Sequence, residues 1–140
     1  MPQLISATAY RSNRPSRSAL FLAKASRLMA QAARERAAGR LREALEYAYQ
    51  AGLRAAGACV ADSPVAGRRR LPTGAWDRLS LVGPGEKEWA ERLSRYSTLR
   101  SRVLSGLESG VDKVVVDELI AAVADFIAEI EYGEGDLAAA

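Results

Sequence analysis

Histidine is absent from all 140 residues of this chain, and that absence excludes more functions than any other property of the composition. Histidine is the side chain whose charge most readily changes near neutral pH, and it is the commonest metal ligand. Without it the chain can hold no Ser-His or Cys-His nucleophile pair and no HExxH zinc helix. We therefore expect no catalytic residue, no bound metal and no cofactor.

Cysteine and long apolar runs are also scarce. Cys59 is the single cysteine, which excludes an intramolecular disulfide bond and a CxxC metal motif. No uncharged run approaches the ~18–20 residues that cross a bilayer. The first apolar stretch is interrupted by Lys24 and Arg27, so it does not resemble a signal peptide. We expect a cytoplasmic protein that binds no membrane.

Alanine and arginine are abundant, and charge is distributed unevenly along the chain. Residues 1–70 contain 13 Lys and Arg against 4 Asp and Glu, whereas residues 71–140 contain 7 against 13. The basic half could face an anion such as nucleic acid. Alternatively, the two halves could face each other, within one protomer or across a dimer. The sequence leaves both explanations open.

Apolar residues recur at helical spacing in four segments, which lie at about 18–37, 40–61, 84–107 and 111–132. We predict an all-α fold, an antiparallel up-and-down four-helix bundle in residues 18–132. A long loop, with one short helical turn at about 75–81, would join the second and third helices. Residues 1–17 are predicted to form a flexible basic arm, and residues 133–140 a flexible tail.

Two candidate surfaces follow from the side chains. Arginines cluster near the corner between the first two helices and in the long loop, and guanidinium groups bind phosphate as a bidentate fork. We predict anion or nucleic-acid contact at Arg34, Arg36, Arg40, Arg42, Arg68, Arg69 and Arg70. The fourth helix is the most apolar segment, so it is either the most buried helix or part of a partner surface. We assign a dimer or partner face to Val116, Ile120, Val123 and Ile127.

Two stretches of this sequence resemble the HEPN domain superfamily, in particular the small stand-alone HEPN proteins of high-GC Gram-positive bacteria. They are the run from Glu43 to Ala56 and the segment from Leu71 to Leu79 with its Trp76-Asp77 pair, followed by Trp89. The resemblance implies a helical bundle, often a homodimer. By family association alone, it also implies an accessory role in DNA repair.

Many HEPN proteins are ribonucleases with an arginine followed four to six residues later by a histidine. The second half of this chain contains four candidates for that arginine, Arg92, Arg95, Arg100 and Arg102. The histidine of the motif is absent, because the chain contains none. We therefore expect a non-catalytic binding or adaptor protein that forms a homodimer. Its further partner would be a DNA-repair protein or nucleic acid. A divergent ribonuclease or nucleotide-binding enzyme and a purely structural dimerisation partner are the alternatives.

Overall fold

The computed structural model describes the backbone of residues 14–139 and the side chains of residues 14–133. Every regular element in this part of the chain is helical, which confirms the all-α prediction. The helices are α1 (Arg17–Ala37), α2 (Leu41–Ala61), a 3-10 helix (Pro64–Gly67), α3 (Ala75–Ser80), α4 (Pro84–Ser94), α5 (Tyr96–Leu104) and α6 (Lys113–Ala139). None of these helices is both long and apolar enough to cross a membrane.

The structure describes the two predicted terminal segments only in part. Residues 1–13 of the predicted arm lie outside the described residues. The segment 133–140, predicted as a tail, continues α6 as far as Ala139, and Ala140 is not described.

Helices α1 and α2 form a hairpin whose ends are set by local hydrogen bonds. The backbone N–H of Ala19 donates to Ser16 Oγ at 3.0 Å, which caps the start of α1 as the sequence indicates. Just after the end of α1, Gly39 adopts φ +78°, and the N–H of Arg40 donates to the carbonyl of Glu35 at 2.9 Å. This left-handed turn suits glycine and reverses the chain.

Helix α2 lies at the centre of the molecule and packs against α1, α3, α5 and α6. Its inward side chains are mostly alanine, which lets neighbouring helices approach closely; fully buried examples are Ala44, Ala48, Ala51, Ala55 and Ala56. Gly52 continues this seam, and a methyl group there would lie 3.4 Å from Val123 and 3.5 Å from Trp76. The small residues of α2 therefore set the spacing between α2, α3 and α6.

Helix α6 supplies the large side chains of the core. Val116 and Val123 are completely buried, and Ile127 is only 7% exposed. Ile120 is partly buried and packs against the same core. The face that we assigned to a dimer or partner is thus corrected: these side chains fill the core of the protomer, since α6 must cover the shallow alanine surface of α2.

The predicted third helix is two helices. A single helix was expected over about 84–107, but α4 ends at Ser94 and α5 begins at Tyr96. Serine hydroxyls bond backbone carbonyls here: Ser97 Oγ donates to the Ser94 carbonyl at 2.6 Å, and Ser94 Oγ donates to that of Glu91 at 3.2 Å. Such bonds compete with the helical pattern, which accounts for a break that hydrophobic spacing does not reveal.

Candidate anion-binding cleft

A cavity of about 280 Å³ opens where the start of α1 meets the end of α2 and the irregular segment 62–74. We call it the arginine cleft. Its walls include both apolar and cationic side chains, among them Arg17, Phe21, Gly57, Leu71, Thr73 and Arg78. No carboxylate of the described residues lines it. The part of the cleft that the structure describes is therefore an apolar hollow with positively charged side chains in its lining.

The fold fixes the two arginines that line the cleft. The Arg17 guanidinium lies 5.6 Å from the centroid of the Phe21 ring, one helical turn away on α1. Phe21 in turn packs over Gly57, where an added methyl group would be only 3.5 Å from the ring. Arg78 Nε donates to the Pro72 carbonyl at 2.5 Å, which ties α3 to the irregular segment. Arg17 and Arg78 therefore line the same cavity as the Phe21 ring.

Three further arginines belong to the segment that borders the cleft in sequence. Ala66 and Leu71 both line the cavity, and the exposed triplet Arg68–Arg70 lies between them in the chain. The 3-10 helix ends just before the triplet, where the N–H of Arg68 donates to the Val65 carbonyl at 3.0 Å. None of the three arginines forms an ion pair with a described residue. Their side chains are therefore exposed and unpaired within the part of the chain that the structure describes.

The predicted arginines at the α1–α2 corner are used differently. Arg36 holds Asp117 of α6 with two bonds, Nε to Oδ1 at 2.6 Å and Nη2 to Oδ2 at 3.0 Å. Arg40 pairs with Glu35. The bonds from Arg36 and Arg40 lower the pKa of Asp117 and of Glu35 respectively. Arg34 and Arg42 are exposed at the same corner. The seven predicted residues thus form two groups. The first is the corner group, in which two of the four arginines pair with carboxylates. The second is the exposed triplet Arg68–Arg70.

A second arginine is enclosed by polar and aromatic partners. Arg100 of α5 donates through Nε and Nη2 to the two oxygens of Glu46 on α2, each at 2.8 Å. Gln50 Nε2 also donates to Glu46, at 2.8 Å. The guanidinium lies 4.9 Å from the centroid of the Tyr49 ring, whose hydroxyl accepts a 2.9 Å bond from Trp76 Nε1. We call this set the Arg100 bridge, because it links α2, α3 and α5.

The Arg100 bridge perturbs the ionisation of both charged partners. Hydrogen bonds from Arg100 are the main cause that lowers the pKa of Glu46, against an opposing effect of burial. The bond to Glu46 likewise raises the pKa of Arg100. Sequence reasoning did not find this network, because its members are 27 and 54 residues apart and no spacing rule joins them.

Other arginines of the α4–α5 region also have partners. Arg102 Nε donates to Glu108 at 3.3 Å, and the Arg92 guanidinium lies 4.9 Å from the Trp89 ring centroid. Arg95 is exposed. Within the described ranges no group of three His, Cys, Asp or Glu side chains is arranged to hold a metal ion.

Comparison with known proteins gives one match. A family model for a HEPN family matches residues 30–131, which covers α2 to α5 completely and parts of α1 and α6. No curated protein and no solved structure matches the chain. The matched range includes the arginine triplet and the Arg100 bridge, whereas Arg17 and Phe21 of the cleft precede it.

Proposed function

The chain belongs to the HEPN superfamily, and from this premise we propose that it is a non-catalytic binding module that holds single-stranded nucleic acid in the arginine cleft. The observation that carries the proposal is a cavity lined by Arg17 and Arg78 and by no carboxylate of the described residues, with the exposed triplet Arg68–Arg70 in the chain between two of its lining residues. Guanidinium groups bind phosphate through paired N–H donors, so such a set favours a ligand with several phosphates.

The shape of the cleft favours a single strand over a duplex. Single-stranded nucleic acid is bound by basic grooves that follow the backbone and by aromatic rings on which bases stack. The arginine cleft offers both features, since Phe21 lies among the lining arginines. Its volume of about 280 Å³ is at the lower end of the range for small-molecule pockets, so it suits one base at a time.

The proposal of a non-catalytic role rests on what the sequence lacks and on how Arg100 is used. The chain contains no histidine to act as a general base or acid near neutral pH. Arg100 donates through Nε and Nη2 to the two carboxylate oxygens of Glu46. A reaction that needed these two donors would first have to break two charge-assisted hydrogen bonds.

We also propose that the helices form the antiparallel four-helix bundle expected from the sequence, with α4 and α5 together as the third helix. Arg36 near the end of α1 pairs with Asp117 near the start of α6. Arg100 of α5 pairs with Glu46 near the start of α2. These contacts support an arrangement in which consecutive long helices alternate in direction.

Fluorescence anisotropy with a labelled oligo-dT strand tests the binding proposal. The chain should bind at about 50 mM salt, and the affinity should fall steeply as salt rises, because released counterions drive phosphate binding. Replacing Arg68, Arg69 and Arg70 together by alanine should reduce the slope of log K against log salt by about 2, since each phosphate contact on a single strand contributes ~0.7.

A charge-matched variant provides the control. Arg27, Lys87 and Arg95 are exposed cations outside the cleft, and none of them forms an ion pair with a described residue. Replacing these three by alanine removes the same net charge, and we expect it to affect binding much less. Absence of binding at low salt, or equal effects of the two triple variants, would contradict a nucleic-acid site in the arginine cleft.

A further inference from the structure

A second cavity lies between the end of α2, the start of α4 and the last turns of α6. It has a volume of about 440 Å³, larger than the arginine cleft, and we call it the acidic groove. Phe126 forms part of its floor and is 1% exposed, and Trp89 packs against it with ring centroids 5.0 Å apart. Tyr132 stands at the rim with 71% of its surface exposed. The groove thus combines a rigid aromatic floor with an accessible aromatic edge.

Three carboxylates of the described residues line the acidic groove. Asp62 follows the end of α2, Glu86 lies in the first turn of α4 and Glu129 lies within α6, and no lysine or arginine of the described residues lines the cavity. None of the three forms an ion pair with a described residue. Glu129 is held in place, because its Oε2 accepts a 2.7 Å bond from Trp89 Nε1. Its second oxygen therefore has capacity for another donor.

From this geometry we infer that the acidic groove binds a cationic peptide segment of a partner protein, with an apolar side chain on the aromatic floor and arginine or lysine at the rim. Charge complementarity selects this occupant, since an anionic or neutral peptide would leave three carboxylates unpaired around an apolar cavity. A guanidinium is favoured further, because it can stack on the exposed Tyr132 ring while it bonds a carboxylate.

The inference is independent of the nucleic-acid proposal. The residues of the acidic groove and those of the arginine cleft have no member in common. Nucleic acid, with its negative backbone, would be repelled from the carboxylates of the groove. One chain could therefore hold an anionic strand at one cavity and a basic protein segment at the other.

Anisotropy of a fluorescent peptide that repeats Leu-Arg-Ala provides the direct test on the full chain. The peptide should bind, and the variant with Asp62→Asn, Glu86→Gln and Glu129→Gln should bind it about tenfold more weakly, because three exposed charge pairs are lost. These changes preserve the size of each side chain, and a glutamine at 129 can still accept the Trp89 bond. Tyr132→Ala should weaken binding as well, with no effect on folding, since that side chain is exposed.

Two controls make the outcome decisive. The variant with Glu91→Gln, Glu118→Gln and Asp125→Asn removes the same charge from exposed acids that do not line the groove, and it should bind as the original chain does. A peptide that repeats Leu-Glu-Ala should not bind. The inference is overturned if neither peptide binds, if both bind equally, or if the two triple variants weaken binding alike. It is also overturned if the chain dimerises and the groove variant is monomeric, because the occupant would then be a second copy.

Discussion

Arginines in two regions of this molecule have opposite surroundings. In the Arg100 bridge a guanidinium is bonded to Glu46 by two 2.8 Å bonds and covered by the Tyr49 ring. In the segment between Ala66 and Leu71 of the arginine cleft, Arg68–Arg70 are exposed and form no ion pair with a described residue. The first region uses positive charge to join helices, and the second leaves it available to a ligand.

The difference shows why arginine content alone says little about ligand binding. Arg36 and Arg40 were predicted as anion contacts together with Arg68–Arg70, yet both are occupied by carboxylates of the same chain. A phosphate would have to displace Asp117 from Arg36, whereas no carboxylate of the described residues would have to be displaced from Arg68–Arg70.

Removal of the Arg100 guanidinium should cause the largest loss of stability. In Arg100→Ala, Glu46 loses both bonds from the guanidinium and keeps the bond from Gln50, while its side chain is only 25% exposed in the native fold. Hydrogen bonds to charged groups contribute about 1.5–3 kcal/mol, so we expect a loss of about 2 kcal/mol in the free energy of unfolding. Urea denaturation followed by circular dichroism measures it.

Two variants sharpen this first prediction. Arg100→Lys keeps the positive charge but loses the two-bond fork and the flat contact with Tyr49, so its stability should lie between those of the other two proteins. Arg95→Ala removes an exposed arginine from the junction of α4 and α5 and should have almost no effect. If Arg95→Ala and Arg100→Ala unfold at the same urea concentration, the bridge does not join the helices as described.

Acid should destabilise the protein through the same carboxylate. Hydrogen bonds from Arg100 hold the pKa of Glu46 below its ordinary value of 4.5 in the folded state. The unfolded chain therefore binds a proton first as the pH falls, and the stabilisation, complete above about pH 4.5, is lost as the pH drops through the folded pKa. Glu35 and Asp117, whose pKa values are also lowered, act in the same direction.

Urea denaturation at a series of pH values measures this dependence. Stability should change little between about pH 5 and pH 8, because the chain has no histidine to titrate there. Below that range it should fall, and Arg100→Ala should fall less steeply, since its Glu46 no longer has the two bonds that lower its pKa. An equal slope in both proteins would show that the acid sensitivity originates elsewhere.

The features of the fold that sequence analysis predicts depend on local residues. The short helix expected at about 75–81 is present at Ala75–Ser80. The Ser16 cap and the turn at Gly39 likewise depend on residues within a few positions of one another. The break at Arg95 was missed although it is local, because serine hydroxyl bonds leave no trace in the hydrophobic spacing.

The features that sequence analysis missed depend on contacts between distant residues. Periodicity identifies the apolar face of α6 but cannot tell whether a neighbouring helix or a second protomer covers it, and the answer lies in the small side chains of α2. Similarly, Arg17 and Arg78 line the same cleft because α1, α2 and α3 meet there, although they are far apart in the sequence. Because arginine is abundant, the sequence alone also does not predict which guanidinium groups pair with a carboxylate.

The ion pair between Arg36 and Asp117 should have the smallest effect on stability among the paired arginines. Its geometry resembles that of the Arg100 bridge, but the Asp117 side chain is 53% exposed, and no aromatic ring of the described residues lies over the Arg36 guanidinium. Water and salt screen such exposed charges, and holding two long side chains together costs conformational entropy. A double-mutant cycle with Arg36→Ala and Asp117→Ala should therefore give a coupling well below that of Arg100 with Glu46. The coupling should vanish at high salt, whereas that of the Arg100 bridge should persist. Equal couplings would mean that two-bond geometry alone determines the strength of an arginine pair in this fold, and that burial and the Tyr49 ring contribute nothing.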